Sequence, residues 1–346
     1  MMSMNRHSGF TAVVAMAALS LVTTPVLAKG PVPDPAVKEF QRVVDTAYAK
    51  YKDLKEGKNA DYIPILTETP SDLFGVVIVT RDGKVYKAGD VDYEFSIQSV
   101  SKPFTAALVM TQQSPQGLKE KIGVEPTGLP FNSKLALEIY KARSVNPMVN
   151  AGAIAAVSLV QASSEADRWN KVSQNLNDFA GRPLTVLEKV YESEYTTAFG
   201  NRGIANLLFN WGRLYSEPEE ALRVYTRECS VGVSAKDLGI MGATLANGGV
   251  NPVTKKQVMP AKNVPELLAL MATAGFYDES GDWMFTAGLP AKTGVGGGIV
   301  AVVPGRFAIA AFSPRLNEAG NSVRSLNAIR DIAGELGVGV FGANPD

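Results

Sequence analysis

The stretch "FSIQSVSKPFTAALVM", residues 95–110, sets Ser99 three places before Lys102 and opens an apolar run behind Pro103. Proline is tolerated only in the first turn of a helix, so a helix must begin close to Ser99. Residues three apart share a face, which brings the lysine amine within reach of the hydroxyl. Free backbone N–H groups and the helix dipole favour negative charge on or near the serine oxygen there. Burial would lower the lysine pKa and let the neutral amine act as a base, so the pair could carry nucleophilic acyl transfer. Alone, the motif is weak: roughly one Ser-x-x-Lys is expected by chance in a chain of this composition. A serine ahead of a helix is also commonly only its cap.

The supply of other bases narrows the choice. The sole histidine is His7, in the leading segment, and the sole cysteine is Cys229. A chain that has shed His7 can build no Ser-His-Asp or Cys-His pair and no histidine-containing zinc site. Its nucleophile must then rely on lysine, tyrosine or a carboxylate. Cys229 cannot form an internal bridge and reads as a small buried hydrophobe. A second feature is "GLPAKTGVGGGIVAVV" (288–303), where Lys292-Thr293-Gly294 leads into a predicted strand. The glycines precede a strand, not a helix, so a phosphate loop is a poor fit. Glycines beside a strand edge let a ligand approach the backbone, whose N–H can stabilise an oxyanion; a bulge or tight turn would use them equally.

The elements that must position these groups follow from periodicity. "DPAVKEFQRVVDTAYAKYKDLKEG" predicts a helix with Asp34 as cap and Pro35 at its first position, ending near Gly57. "LFGVVIVTRDGKVYKAG" predicts a hairpin around Asp82-Gly83. Toward the other end, "GGIVAVV", a Pro304-Gly305 turn and "RFAIAAFSP" predict a second hairpin, and "SVRSLNAIRDIAGELG" an amphipathic helix closed by Gly337. Isolated hairpins are marginal, so both should join one antiparallel sheet with the terminal helices packed on it. The expected fold class is therefore α/β (α+β). Its α/β lobe takes residues 29–99 and 285–346, and a helical lobe, about 100–284, is inserted between them. Ser99 falls at that junction, a favoured place for a small-molecule site.

Composition bounds the partners. The 346 residues are 46% hydrophobic and 20% charged, with formal net charge zero, and no run of like charge invites nucleic acid or an anionic membrane surface. Arg6 and His7 precede an apolar stretch from Phe10 to Val22, and "TPVLA" offers small residues at a cleavage position. This is a signal-peptide pattern over residues 1–28; its apolar stretch falls well short of the roughly 20 residues a spanning helix needs. The mature chain, 29–346, is expected to be exported, to a periplasm, without a membrane span.

Ser-x-x-Lys opening a helix and Lys-Thr-Gly on a late strand together resemble the serine beta-lactamase and penicillin-binding-protein fold. Longer strings resemble the beta-lactamase-like serine-dependent glutaminases: "ADYIPIL" (60–66), "FSIQSVSKP" (95–103), "NPMVNAGAI" (146–154), "LANGG" (245–249) and "GLPAKTGVGGGI" (288–299). The match runs in order from about residue 35 to residue 335. The resemblance implies Ser99 as nucleophile, Lys102 as neighbouring base, and Tyr225 and Tyr277 as tyrosines that help move protons. It implies substrate contacts from Tyr62, Asn150, Glu194, Asn201 and the backbone of Val295, alongside Ser99, Tyr225 and Tyr277. Family members tend to carry arginine directly before the asparagine matching Asn201; here Gly200 precedes it and Arg202 follows.

These assignments agree with the charges of glutamine. A selective pocket needs a carboxylate for the α-ammonium, which suits Glu194. It needs neutral or positive donors for the α-carboxylate, which suits Asn150, Asn201 and Tyr62. Taken singly, Asn150 could be a helix cap and Tyr277 a core ring with its hydroxyl at the surface. The resemblance implies hydrolysis of L-glutamine to L-glutamate and ammonia through a γ-glutamyl ester, with no metal or organic cofactor, in a homodimer or homotetramer. A beta-lactamase or D-Ala-D-Ala peptidase of the same fold is the rival, with Ser144-Val145-Asn146 passing for its Ser-x-Asn element. A non-catalytic amino-acid receptor is the third reading, although binding alone needs no nucleophile.

Overall fold

Three six-residue runs, GVVIVT, GIVAVV and FAIAAF, are buried at every position, as strands covered on both faces must be. They are β1 (Gly75–Thr80), β6 (Gly298–Val303) and β7 (Phe307–Phe312); β2 (Val85–Gly89) and β5 (Ala291–Thr293) complete an antiparallel sheet in the order β2-β1-β7-β6-β5. The register pairs Ile78 with Ile309 and Ala301 with Ile309, so the two predicted hairpins meet along β1 and β7. A small second sheet pairs β3 (Phe95–Ser96) with β4 (Gly232–Val233). The structure is a computed structural model, and it describes residues 1–2, 37–140 and 144–342. The signal-peptide pattern and the helix start at Asp34-Pro35 lie outside the described residues.

Among the described residues twelve α-helices accompany the strands: α1 (Val37–Tyr51), α2 (Lys102–Lys121), α3 (Leu135–Ile139), α4 (Asn150–Leu159), α5 (Glu165–Ala180) and α6 (Glu188–Thr197) come first. They are followed by α7 (Phe199–Asn210), α8 (Pro218–Cys229), α9 (Ala235–Ala246), α10 (Val264–Ala274), α11 (Ser280–Thr286) and α12 (Val323–Glu335). Alternate strand residues divide between two cores, as period two requires. Val76, Ile78, Ala301, Phe307 and Ile309 pack with Phe40 and Val44 of α1 and Ile329 of α12. Val77, Val79, Val300, Ala308 and Ala310 pack with Leu238 and Met241 of α9. The layers are therefore helices α1 and α12, the sheet, and α9. The fold is mixed α and β with an antiparallel sheet, as the strand and helix patterns predict.

Two details differ from the expectation. Helix α1 stops at Tyr51 rather than near Gly57. Gly57 has φ +84° and lies against the Leu316 carbonyl, where a Cβ would stand 2.5 Å from the oxygen, because Lys58 bridges to Leu316. The glycine thus serves a close backbone approach and not a helix end. In addition, α9 belongs to the central, mostly helical segment yet covers a sheet face. It can do so because Gly239 and Gly242 bring its backbone down: a Cβ on Gly242 would lie 2.6 Å from Val300 and 2.7 Å from Ala308. No described helix is long and apolar enough to cross a membrane.

Candidate active site

The turn carrying Ser99 is fixed from both sides. Phe95 and Ser96 pair with Val233 and Gly232, and the Ile97 N–H donates to Val231 O at 2.8 Å. The chain then winds through a 3₁₀ turn, Gln98–Ser101, into α2, with Pro103 in its first turn. Gln98, directly before the serine, has φ +48°, the left-handed region that an ordinary side chain enters only when its surroundings insist. Its side chain is tied down by hydrogen bonds to Glu194 Oε2 at 3.0 Å and Ser96 Oγ at 3.4 Å.

Ser99 and Lys102 are buried, and Lys102 Nζ lies 2.8 Å from Ser99 Oγ. The amine also donates to Asn150 Oδ1 at 2.7 Å, and the Tyr225 hydroxyl donates to the same oxygen at 3.2 Å. Asn150 Nδ2 in turn donates to Asn201 Oδ1 at 2.9 Å. Asn150 opens α4 without capping it. Gly152 lets that helix end press on the preceding loop, since any Cβ there would fall within 1.8 Å of the Asn146 carbonyl. Burial lowers the Lys102 pKa to about 8, against the opposing pull of Cys229, Glu228 and Glu194. A lysine so placed spends an appreciable fraction of its time as a free amine near neutral pH.

Tyr277, at φ +59°, is buried, and its hydroxyl makes no well-formed hydrogen bond. Burial raises its pKa, and the nearby Ser99 hydroxyl pulls the other way. Two amines attend its ring, Lys292 Nζ at 4.0 Å from the centroid and Lys102 Nζ at 5.7 Å. Lys292 is fully buried and donates to Thr293 O at 2.8 Å and Gly275 O at 3.1 Å; burial, then the charge of Lys102, hold its pKa well below the usual lysine value. Burial lifts Glu194 to about 7, with the Gln98 hydrogen bond and Lys102 opposing.

A pocket of about 170 Å³ gathers Tyr62, Gln98, Ser99, Phe131, Asn150, Glu194, Asn201, Tyr225 and Val295. Every sequence-predicted contact residue therefore lines one cavity or, for Lys102 and Tyr277, lies behind its lining, against Ser99 and Phe131 respectively. Tyr62 is 52% exposed as a residue, yet enough protein surrounds its phenol for burial to raise the pKa, with Glu194 adding to the effect. Arg202 turns to Glu219 at 3.0 Å and to the Tyr195 ring, while its neighbour Asn201 faces the pocket. Cys229 is buried, does not line the pocket, and burial pushes its thiol pKa far up, which disfavours the thiolate.

Ser144 and Asn146 do not reach this cavity. Ser144 Oγ donates to Ile122 O, and Asn146 bonds Glu125 O and the Met148 N–H. They brace the loop before α4 instead of forming a Ser-x-Asn element. Three buried groups around the site went unmarked as site residues in the sequence: Gln98, Lys292 and Glu228. Residue type says nothing of a left-handed Gln98. Glu228 was legible in principle, because it falls at the 3–4 spacing of Ala221 and Tyr225 on the buried face of α8, where an acid is out of place.

A family model described as Glutaminase matches residues 57–341. A glutaminase of Mycobacterium ulcerans is 52% identical over 302 residues, 87% of this chain and 94% of that protein. Among solved structures, a probable glutaminase, ybaS, superposes with a TM-score of 0.88 at 49% identity, over 89% of this chain and 100% of that one. The Bacillus subtilis glutaminase YbgJ, solved as a covalent complex with 5-oxo-L-norleucine formed from 6-diazo-5-oxo-L-norleucine, gives 0.78 at 28% identity, covering 89% and 100%.

Proposed function

The chain belongs to the glutaminase family and hydrolyses L-glutamine to L-glutamate, and from that premise we propose that Ser99 is its nucleophile and Lys102 the base that activates it. The observation that carries this reading is the 2.8 Å contact between the two, in a pocket that also holds a buried carboxylate, Glu194. Ser99 Oγ attacks the side-chain amide carbon while Lys102 Nζ accepts its proton. Backbone N–H groups of Ser99 and Val295 stabilise the oxyanion, each such donor being worth on the order of a hundredfold in rate. Lys102, assisted by Tyr225 or Tyr277, returns the proton to the departing nitrogen, and ammonia leaves behind a γ-glutamyl ester. Water then attacks the ester by the same route. The covalent adduct of YbgJ supports a covalent course here.

Glu194 takes the α-ammonium of the substrate, while Asn150, Asn201 and Tyr62 face the α-carboxylate. Selectivity follows, because an analogue lacking either group leaves buried partners unpaired. The protein acts after export, its residues 1–28 removed as a signal peptide, and works as a homodimer or homotetramer.

The test uses purified protein lacking residues 1–28, offered L-glutamine, L-asparagine and a chromogenic cephalosporin. Ammonia is expected from glutamine, and Ser99→Ala should abolish it. Rapid-quench mass spectrometry should find a glutamyl adduct on the peptide containing Ser99. Opening of the cephalosporin, or turnover surviving Ser99→Ala, would refute the assignment.

A further inference from the structure

Helix α8 buries an acid that takes no part in lining the pocket. Glu228 is 1% exposed, and one of its oxygens, Oε1, accepts from Thr105 Oγ1 at 2.8 Å. The other, Oε2, is buried with no well-formed hydrogen bond, and the Ser101 hydroxyl, likewise without one, lies close enough to favour the charged form. Leaving a carboxylate in the interior on one hydrogen bond is costly, by several kcal/mol unless an opposite charge offsets it. The neighbouring cation is Lys102: it stands between Ser101 and Thr105 at the start of α2, and its Nζ shares the Asn150 Oδ1 with the hydroxyl of Tyr225, one turn before Glu228 on α8. The influence is mutual: burial brings Glu228 up to about 7, against Thr105, Ser101 and Lys102, while Glu228 draws Lys102 upward.

We propose that Glu228 is a positioning residue that acts through Lys102: its buried carboxylate is the negative charge against which the amine becomes ammonium when Ser99 gives up its proton. The inference rests on the Ser99–Lys102 reading above. In the step itself the proton passes from Ser99 Oγ to Lys102 Nζ and then to the departing nitrogen. Glu228 gains and loses nothing. Its role is to stabilise a cation formed where water cannot.

Other titratable groups facing this corner are Glu194 from α6, Tyr225 and Cys229 on α8 itself, and Tyr277 and Lys292 from the β5 side. Glu194 has its own hydrogen bond from Gln98 and serves the substrate ammonium. The charges that α5 and α7 turn toward α8 are already paired, Arg168 with Glu220, Arg223 with Glu165 and Arg202 with Glu219. Glu228 is thus the carboxylate left for Lys102 once glutamine has occupied Glu194.

Glu228→Gln keeps the size and an acceptor for Thr105 while removing the charge. Without the charge Lys102 loses its proton more readily, so the acidic limb of kcat should move to lower pH, by about one unit. The plateau should fall severalfold because a weaker base remains. KM at saturating pH should change by less than about twofold, since Glu228 lies outside the pocket. Thr105→Val, which removes the donor that favours the charged carboxylate, should move the limb in the same direction and less far. A merely structural role would lower the thermal midpoint or raise KM with the limb unmoved. That result in Glu228→Gln overturns the proposal. If Glu228→Gln does not fold, an unmoved limb in Thr105→Val overturns it equally. Turnover surviving Ser99→Ala would bring down the underlying reading first, and this one with it.

Discussion

Ser99 and Lys102 illustrate how little a reactive pair is determined by its own two residues. In the proposed mechanism the amine serves as base because it is fully buried and because Asn150, itself bonded by Tyr225, holds it beside the hydroxyl. Glu194 follows the same physics with the opposite sign, since burial raises a carboxyl and lowers an amine. In the proposed binding mode it must be ionised to hold the substrate ammonium, and burial lifts it to about 7. With Lys102 at about 8 also required as the free amine, we expect kcat/KM for glutamine to fall about tenfold per unit below pH 8 and more steeply, toward a hundredfold per unit, below about 7. Glu194→Gln should remove the steeper part of that limb, leaving the one set by Lys102, and raise KM by roughly 30- to 150-fold, the worth of about 2–3 kcal/mol for an unpaired ammonium. Steady-state kinetics over pH measure both effects.

At the scale of elements, the site depends on close approaches that only glycine permits. Gly152 lets α4 reach the loop before it and so aims Asn150 at Lys102. Gly242 lets α9 lie on β6 and β7. Gly242→Val would force a side chain between Val300 and Ala308, and overpacking of this kind costs about 1–3 kcal/mol. The expected result is a lower thermal unfolding midpoint with kcat little changed in the folded fraction, read by calorimetry beside an activity assay. Helix α8 is anchored differently. Its N-terminus carries Pro218 and two acids in the first turn, suited to the helix dipole, and its C-terminus delivers Tyr225, Glu228 and Cys229 into the interior.

For the whole molecule, the polypeptide runs from α1 through β1 and β2, then the helices, and returns to β5, β6, β7 and α12. The sheet is thus made from both ends of the folded chain, and β3 and β4 tie the Ser99 turn to the end of α8. Two expectations belong to this scale. N-terminal sequencing of the protein recovered after secretion should begin at Lys29. Light scattering of that product should give two or four times the subunit mass, and a monomer at micromolar concentration would contradict the assembly.

Periodicity and turn chemistry were enough to specify the two hairpins, the terminal helices and their union in one antiparallel sheet, since these depend on local patterns that recur every two or every 3.6 residues. Residue type and ordered strings brought Ser99, Lys102, Tyr225, Tyr277, Glu194 and the asparagines into view. Distances across the chain were beyond such reasoning. That Asn150 bridges Lys102 to Asn201, that Lys292 lies over Tyr277, and that Glu228 is buried with Thr105 as its one well-formed hydrogen bond follow from packing residues far apart in sequence. The end of α1 and the seat of α9 on the sheet were likewise decided by contacts with distant backbone. Local order is written in short-range pattern, whereas burial, and with it every shifted pKa in the site, exists only once the chain has closed on itself.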